Sequence, residues 1–482
     1  MLIKLDQFAP DADNTGAGLI VDLGSMVPTL KGYKAAPTAA STGNDALAST
    51  CYGAAVVRKL DNSTRYVAGL ATKLYEISGS TWSDVSRGAA YSASSDVRWT
   101  FAQFGNVTLA ANKGDVLQFS SSGAFADLAA PKAKLVETVN QFVIVADTTE
   151  VTFGDSPDRW WCCAIGDYTD WVPDVATQCV SGRLTSAPGR INTIKRLGDS
   201  IVAFKDRSMF VGSYVGAPEV WSFQEIPGNV GCMAQGGVQS IGAALIFVGY
   251  DNFYLFDGSR PTPIGNPLKD WFYNDLYTDF AYRIRTVHDR QSSNVYFFYP
   301  SRSGSGALDS CIVYNYRVDK WGVDDRTIEE TVDFISAGAT WAGTLATSET
   351  WGSIDSGITW DSPLLTAGQP IPAYIDTSHL TQVISGVGGP WSLTTNDFGD
   401  DSQVTSITRV KPRFLTAPTT CSMINYYRMN VSDSLTTDAT TSISSGKFDL
   451  LRDARWHRFA FSGTGGGELT GIDLQIAGGG LE

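Results

Sequence analysis

Apolar and polar positions alternate with period two over much of this chain, and the alternating runs come in pairs. In Asp199–Ser213, DSIVAFKDRSMFVGS, two such runs flank a polar break, Lys205-Asp206-Arg207-Ser208. This pattern predicts a β-hairpin. A lone hairpin is marginally stable in water, so it must pack against neighbours. Five further stretches share the pattern: Arg65–Ser78, Asn106–Ser120, Gln141–Asp155, Ala244–Gly258 and Asn294–Tyr316. Ala373–Ser385 is a candidate seventh, set after a longer insertion. Equivalent first-strand residues Val67, Val107, Val143, Val202, Ile246 and Val295 lie 36 to 59 residues apart.

Several hairpins are preceded by another alternating run, as in Ala54–Leu60, Arg190–Leu197, Val238–Ala243 and Arg283–Asp289. Several are followed by an aromatic-led strand carrying Trp82, Trp221 or Trp321. Three to four antiparallel strands in each unit of about 45 residues predict a propeller blade. A blade cannot bury both faces alone, so blades stack around an axis into a ring. The expected fold is therefore all-β: a β-propeller of about six to eight blades over residues 51–390. An N-terminal arm with the first strands would occupy 1–50. The texture changes after GVGGPW (Gly386–Trp391), and a small additional all-β region is expected over 391–482. A series of β-sandwiches would need about seven strands per domain and accounts less well for the period. The clearest helix signal is Asn266–Leu276, with Asn266 as cap, Pro267 in the first turn, and Leu268, Trp271, Phe272 and Leu276 on one face.

Composition narrows the class. The chain has 482 residues, 43% hydrophobic and 11% aromatic, which suffices for a large core, and its 48 glycines suit many tight turns. A net charge of −14 argues against a sequence-reading DNA binder, which carries a basic footprint. No run of 18 apolar residues predicts a membrane span. MLIKLDQFAPDADNTG lacks the apolar centre of a signal peptide, so folding in a cytoplasm is expected. Cys51, Cys162, Cys163, Cys179, Cys232, Cys311 and Cys421 are odd in number and scattered, which predicts buried free thiols.

Candidate chemistry is sparse. His288, His379 and His457 lie far apart with no metal-type spacing, and no P-loop, nucleophile elbow or dinucleotide-binding glycine motif occurs. The expectation is no catalytic, cofactor or metal residues, and no enzyme. Two motifs are weighed against that. DADNTGAGLIVD places Asp11, Asp13, Thr15, Gly16 and Asp22 at calcium-loop positions, but lacks flanking helices and closes on Asp rather than Glu. SIDSGITW (Ser353–Trp360) resembles the Asp box of sialidase propellers, where it is a structural turn remote from catalysis. A glycan-binding or sialidase-like propeller is therefore the alternative reading.

Several phrases together carry a wider resemblance: Phe8–Pro37, Ala164–Ile191, Glu219–Cys232, Asp251–Phe272, Ser310–Asp325 and Ala454–Gly463. They resemble the tail nozzle (tail-tube or packaged-DNA-stabilisation) proteins of short-tailed bacteriophages, and the likeness touches most of the chain. The resemblance implies a virion structural protein, assembled in the host cytoplasm as a six-membered ring below the portal and its adaptor. That ring extends the DNA channel, retains the genome, and offers surfaces to tail fibres or spikes and to a needle or plug. Double-stranded DNA would pass without sequence-specific binding and no residue would be catalytic. A channel for a polyanion should avoid salt-sensitive phosphate contacts, and an acidic subunit repeated around an axis does so. The insertions Ala164–Gly189 and Gly343–Pro372 exceed ordinary blade turns and, with the arm, are expected to make subunit or adaptor contacts.

Overall fold

A computed structural model describes residues 1–13, 15–16, 18–335 and 368–481. Ser353–Trp360 and most of the second insertion lie outside the described residues.

Six of the seven predicted hairpins form the middle pair of strands of a four-stranded antiparallel unit; in Gln141–Asp155 the run is instead the single strand Phe142–Glu150, and its partner is Gly154–Cys162. The opening hairpin is Ser200–Phe204 paired with Met209–Gly216, flanked by Thr193–Leu197 inside and Val220–Ile226 outside. Among the described residues six separate four-stranded sheets of this kind are present, and the strands between Arg285 and Val323 make a further wedge inside a ten-stranded sheet. The inner strands are Ala54–Arg58, Thr100–Phe104, Lys132–Val139, Thr193–Leu197, Val238–Ser240, Arg285–Asp289 and Ile328–Ile335. Each packs against the next, and Ile328–Ile335 packs against Ala54–Arg58, so the ring closes. The fold is a β-propeller.

The alternation explains the packing. Blade faces are buried on both sides, so the middle strands read as nearly unbroken apolar runs, such as Leu245–Val248, in which all four residues are buried. Separate apolar clusters fill the spaces between successive blades, for example Val202, Phe204, Phe247 and Phe256 in one, and Leu109, Val143, Val145 and Trp161 in another. Trp82, Trp221 and Trp321 sit on the outermost strands, as their positions after the hairpins predict.

The last blade is closed by the other end of the chain. Ile328–Ile335, Pro370–Asp376 and Thr381–Gly388 receive Pro37–Ser41 as their fourth strand. Such closure ties early and late residues into one sheet and leaves no gap in the wheel.

Residues before Pro37 do not stand out as an arm. Ile3, Leu5 and Phe8 are buried. Leu2–Lys4 pairs with Glu468–Leu481, while Gln7–Phe8 pairs with Leu19–Gly24, which in turn pairs with Trp391–Thr395. These N-terminal strands thus complete two facing sheets built mainly from residues 391–481. One contains Trp391–Thr395, Trp456–Thr464 and Thr420–Arg428; the other contains Gln403–Thr416, Phe448–Ala454 and Glu468–Leu481. The second sheet runs on through Tyr33–Ala35 and Met26–Pro28 into Lys320–Val323 of the wheel. Where this joint is tightest, Gly32 is required: a Cβ there would stand 2.2 Å from the Leu469 carbonyl oxygen. One apolar cluster runs across the joint, from Phe253, Phe297 and Trp321 through Tyr33 to Trp391, Phe461 and Leu474.

The helix is Lys269–Asp275, shorter than the pattern predicts. Asn266 does not cap it; its Oδ1 accepts from Asn252 Nδ2 at 2.8 Å. The cap comes from Asp11, whose carboxylate accepts the N–H groups of Asp270 (2.7 Å) and Trp271 (2.8 Å).

Candidate functional site: the axial cavity

The inner strands enclose a cavity of about 380 Å³ on the wheel axis, lined by residues from all seven of them or their approaches. Its wall is polar, with Gln103, Glu137, Lys195, Gln239, Arg285, Glu330 and Asp333 among the lining side chains.

At the end where the inner strands begin, the Glu330 carboxylate holds two guanidinium groups. Arg98 Nη1 lies 2.8 Å away and Arg285 Nε 3.0 Å away. Arg98 also donates to the Glu329 carbonyl at 3.0 Å. All three charged residues are buried, so burial lowers the Arg285 pKa to about 10 although Glu330 pulls the other way. Arg98 enters with the second blade, Arg285 with the sixth and Glu330 with the seventh, so this triad clamps the wheel across its axis. Cys51 is packed beside it, donating its N–H to Glu329 Oε2 at 2.9 Å. Burial, reinforced by Glu330 and Glu329, pushes its thiol well above the ordinary range, which makes it a poor nucleophile.

A second charged group lies at the same end. Asp147 occupies a register shift between Phe142–Glu150 and Gly154–Cys162, has φ of 54°, and its side chain is fully buried. It pairs with Lys113, and Arg190 Nη2 stands 3.6 Å from its Oδ2. At the opposite end, Arg290 lies 3.8 Å from Asp333, whose carboxyl is pushed up by burial against the opposing pull of Arg290 and Lys195.

The residues singled out in the sequence are dispersed. His288 is buried on an inner strand, its Nε2 3.1 Å from the Tyr316 hydroxyl. His379 sits in a turn with its Nδ1 2.8 Å from Glu329 Oε1, and His457 is buried beside the Thr405 carbonyl at 3.3 Å. The would-be calcium loop is dismantled: Asp11 caps the helix, Asp13 accepts from the Thr15 N–H at 3.1 Å, and Asp22 lies in a strand. Among the described residues, no cluster of His, Cys, Asp or Glu could hold a metal. All seven cysteines are buried and free. Among the described residues that line the cavity, Arg285 is the one arginine and it pairs with Glu330, and no tyrosine is present. The clamp itself was invisible in the sequence, because Arg98 and Glu330 are 232 residues apart and only closure of the ring brings them together.

No family model matches the chain, and no curated protein matches it. Solved structures that share its architecture do so remotely. The Pan2 WD40 domain of Neurospora crassa is 8% identical with a TM-score of 0.39, covering 76% of this chain and 96% of that domain. YCF48 of Cyanidioschyzon merolae is 11% identical with a TM-score of 0.34, covering 62% of this chain and 93% of that protein. PorZ, a surface component of the type-IX secretion system of Porphyromonas gingivalis, is 9% identical with a TM-score of 0.36. That match covers 75% of this chain but only 43% of PorZ. Among the described residues, no helix is long and apolar enough to cross a membrane.

Proposed function

We propose that the chain is a non-enzymatic structural subunit of a short-tailed phage virion, copies of which form a ring-shaped tail nozzle. The observation that carries this reading is mechanical. A wheel closed by Pro37–Ser41 is fused through a continuous sheet to a sandwich that holds both ends of the chain. Such a body resists deformation because neither end can peel away without breaking a sheet, which suits a part that must hold its diameter against packed DNA.

DNA does not thread the wheel itself in this reading. A cavity of about 380 Å³ is the size of a small-ligand pocket. A duplex whose major groove alone is about 12 Å wide cannot enter it. The channel is the space enclosed by neighbouring copies, six by the family resemblance, and the net charge of −14 per subunit lets a polyanion slide through without being held. The loop after Ala164 exposes Ile165, Val172 and Val175, and the neighbouring turn exposes Val151 and Phe153. Exposed apolar residues grouped on one blade suit contacts to a second copy or to the portal adaptor. Tail fibres or spikes and a needle or plug would dock elsewhere on the ring.

Light scattering after size exclusion, followed by negative-stain microscopy with and without the portal–adaptor complex, tests the proposal. Rings, free or templated on the adaptor, are expected. Monomers that ignore the adaptor would overturn it.

A further inference from the structure

A groove between the second and third blades is built like a socket. Its volume is about 590 Å³, and Val116, Leu128, Pro131, Val151, Trp161 and Trp171 line it. Trp171 is fixed by its Nε1, which donates to the Tyr168 carbonyl at 2.8 Å. Val151 at the edge of the groove and Val172, next to Trp171 in the chain, are exposed. Two polar atoms of lining side chains lack partners among the described residues. Trp161 is buried and its Nε1 meets no acceptor, while the buried Oε1 of Glu150 meets no donor. Such unpaired groups cost stability, and native interiors rarely keep them. The cost falls away when an occupant brings an apolar group for the tryptophans, a carbonyl for Trp161 and a cation for Glu150.

The same chain carries a knob of that chemistry. The turn between Met26–Pro28 and Tyr33–Ala35 exposes Leu30 and Lys31 side by side. Thr29 holds the turn in shape. Its N–H donates to the Gly32 carbonyl at 2.9 Å, and its Oγ1 accepts from the Gly32 N–H at 3.1 Å and donates to Glu468 Oε1 at 2.8 Å. A pre-ordered knob loses little conformational freedom on docking. Met26–Pro28 is paired to Lys320–Val323, the outermost strand of the sixth blade. The socket lies between the second and third of seven wedges, so knob and socket stand about half a turn apart on one wheel. A knob cannot reach its own socket.

We propose that the groove seats the Leu30–Lys31 turn of a second copy of this chain, with Leu30 against Trp161 and Trp171 and Lys31 at Glu150. Opposite charges on knob and socket set the register of the contact. The two surfaces differ, so the contact is heterologous: each copy offers its knob to one neighbour and its socket to another. Copies joined in this way run head to tail and make a ring when the rotation closes. The contact deepens the nozzle reading and rests on it only for that closure.

Photo-cross-linking of the full chain provides the test. Leu30→benzoylphenylalanine keeps an apolar knob and makes it reactive to light. Illumination, with and without the portal–adaptor complex, should give covalent dimers whose linked peptide carries Trp161 or Trp171. Adding Lys31→Glu should cut the yield about tenfold or more, and adding Glu150→Lys to that variant should restore it. The restored yield guards against misreading a variant that has failed to fold. Absence of covalent dimers in both settings at concentrations on the order of 100 µM would overturn the proposal. So would linkage to another surface, or a yield indifferent to the two charge changes. The nozzle reading fails separately: dimers linked through the groove that form open chains and ignore the adaptor would sink that reading and leave the contact standing.

Discussion

Single residues in this molecule matter most where charge is buried. Glu330 neutralises Arg98 and Arg285 together, so Glu330→Gln strands two guanidinium groups without their carboxylate. Breaking a buried ionic group in this way costs about 3–5 kcal/mol. Urea unfolding should register that loss, whereas replacing all three residues with methionine should cost much less, because no uncompensated charge remains. His288 gives a pH signature. Burial and nearby Arg290 bring its pKa down to about 4, against about 6.5 in the unfolded chain. Between those values the unfolded state binds more protons, so stability present above pH ~6.5 drains away as pH falls toward ~4. His288→Asn should lose less stability than the parent between pH ~7 and ~4.5, by about 2–3 kcal/mol in paired urea titrations. Identical pH profiles would show that His288 has the same pKa in the native and unfolded states. None of these roles could be read along the chain. Lys205 makes the same point: placed by its neighbours in a polar hinge, it is buried, with its ammonium held by the carbonyls of Leu184 and Ala187.

At the scale of elements, sequence and structure agree where the signal is local and part where it is not. Period-two alternation with a polar break depends on adjacent residues, so the hairpins from Arg65–Ser78 to Ala373–Ser385 appear as the middle pair of a blade, except Gln141–Asp155, where Phe142–Glu150 runs on as one strand and turns at Val151–Phe153 into Gly154–Cys162. The helix shows the opposite case. Asn266 and Pro267 look like a start signal, yet Asn266 is used to brace Asn252, and the helix begins later under a cap from Asp11. A cap that comes from 259 residues away leaves no trace in a local window. Asp11→Ala should destabilise the protein by about 1 kcal/mol, the usual worth of a side-chain cap. Hydrogen exchange should quicken first at the amides of Asp270 and Trp271. Unchanged protection there would mean that the packing of Phe272 alone holds the turn. The N-terminal strands escaped the reading for a related reason. Leu2–Lys4 and Gln7–Phe8 are too short to signal as strands, and their partners lie more than 380 residues on or follow a turn-rich loop.

For the molecule as a whole, the question is whether wheel and sandwich are two folding units or one. Composition changes near Gly386, which suggests a seam, yet the chain crosses that seam repeatedly. Tyr33–Ala35 belongs to the sandwich sheet on one side and, through Met26–Pro28, to the wheel on the other. Pro37–Ser41 follows directly and closes the last blade. The apolar cluster containing Trp321, Tyr33 and Phe461 runs from the wheel into the sandwich. Unfolding the sandwich alone would expose Tyr33 and Trp321, release Pro37–Ser41, and open the ring at the junction clamped by Glu330. Local and global opening therefore converge, and calorimetry should show a single cooperative transition whose van't Hoff and calorimetric enthalpies agree. Deleting Met1–Ser41 should abolish that transition rather than lower it slightly, since the deletion removes the closing strand and the joint at once. Two resolved transitions in the intact chain, with the truncated form keeping the first blades folded, would show that the wheel stands without its fused partner.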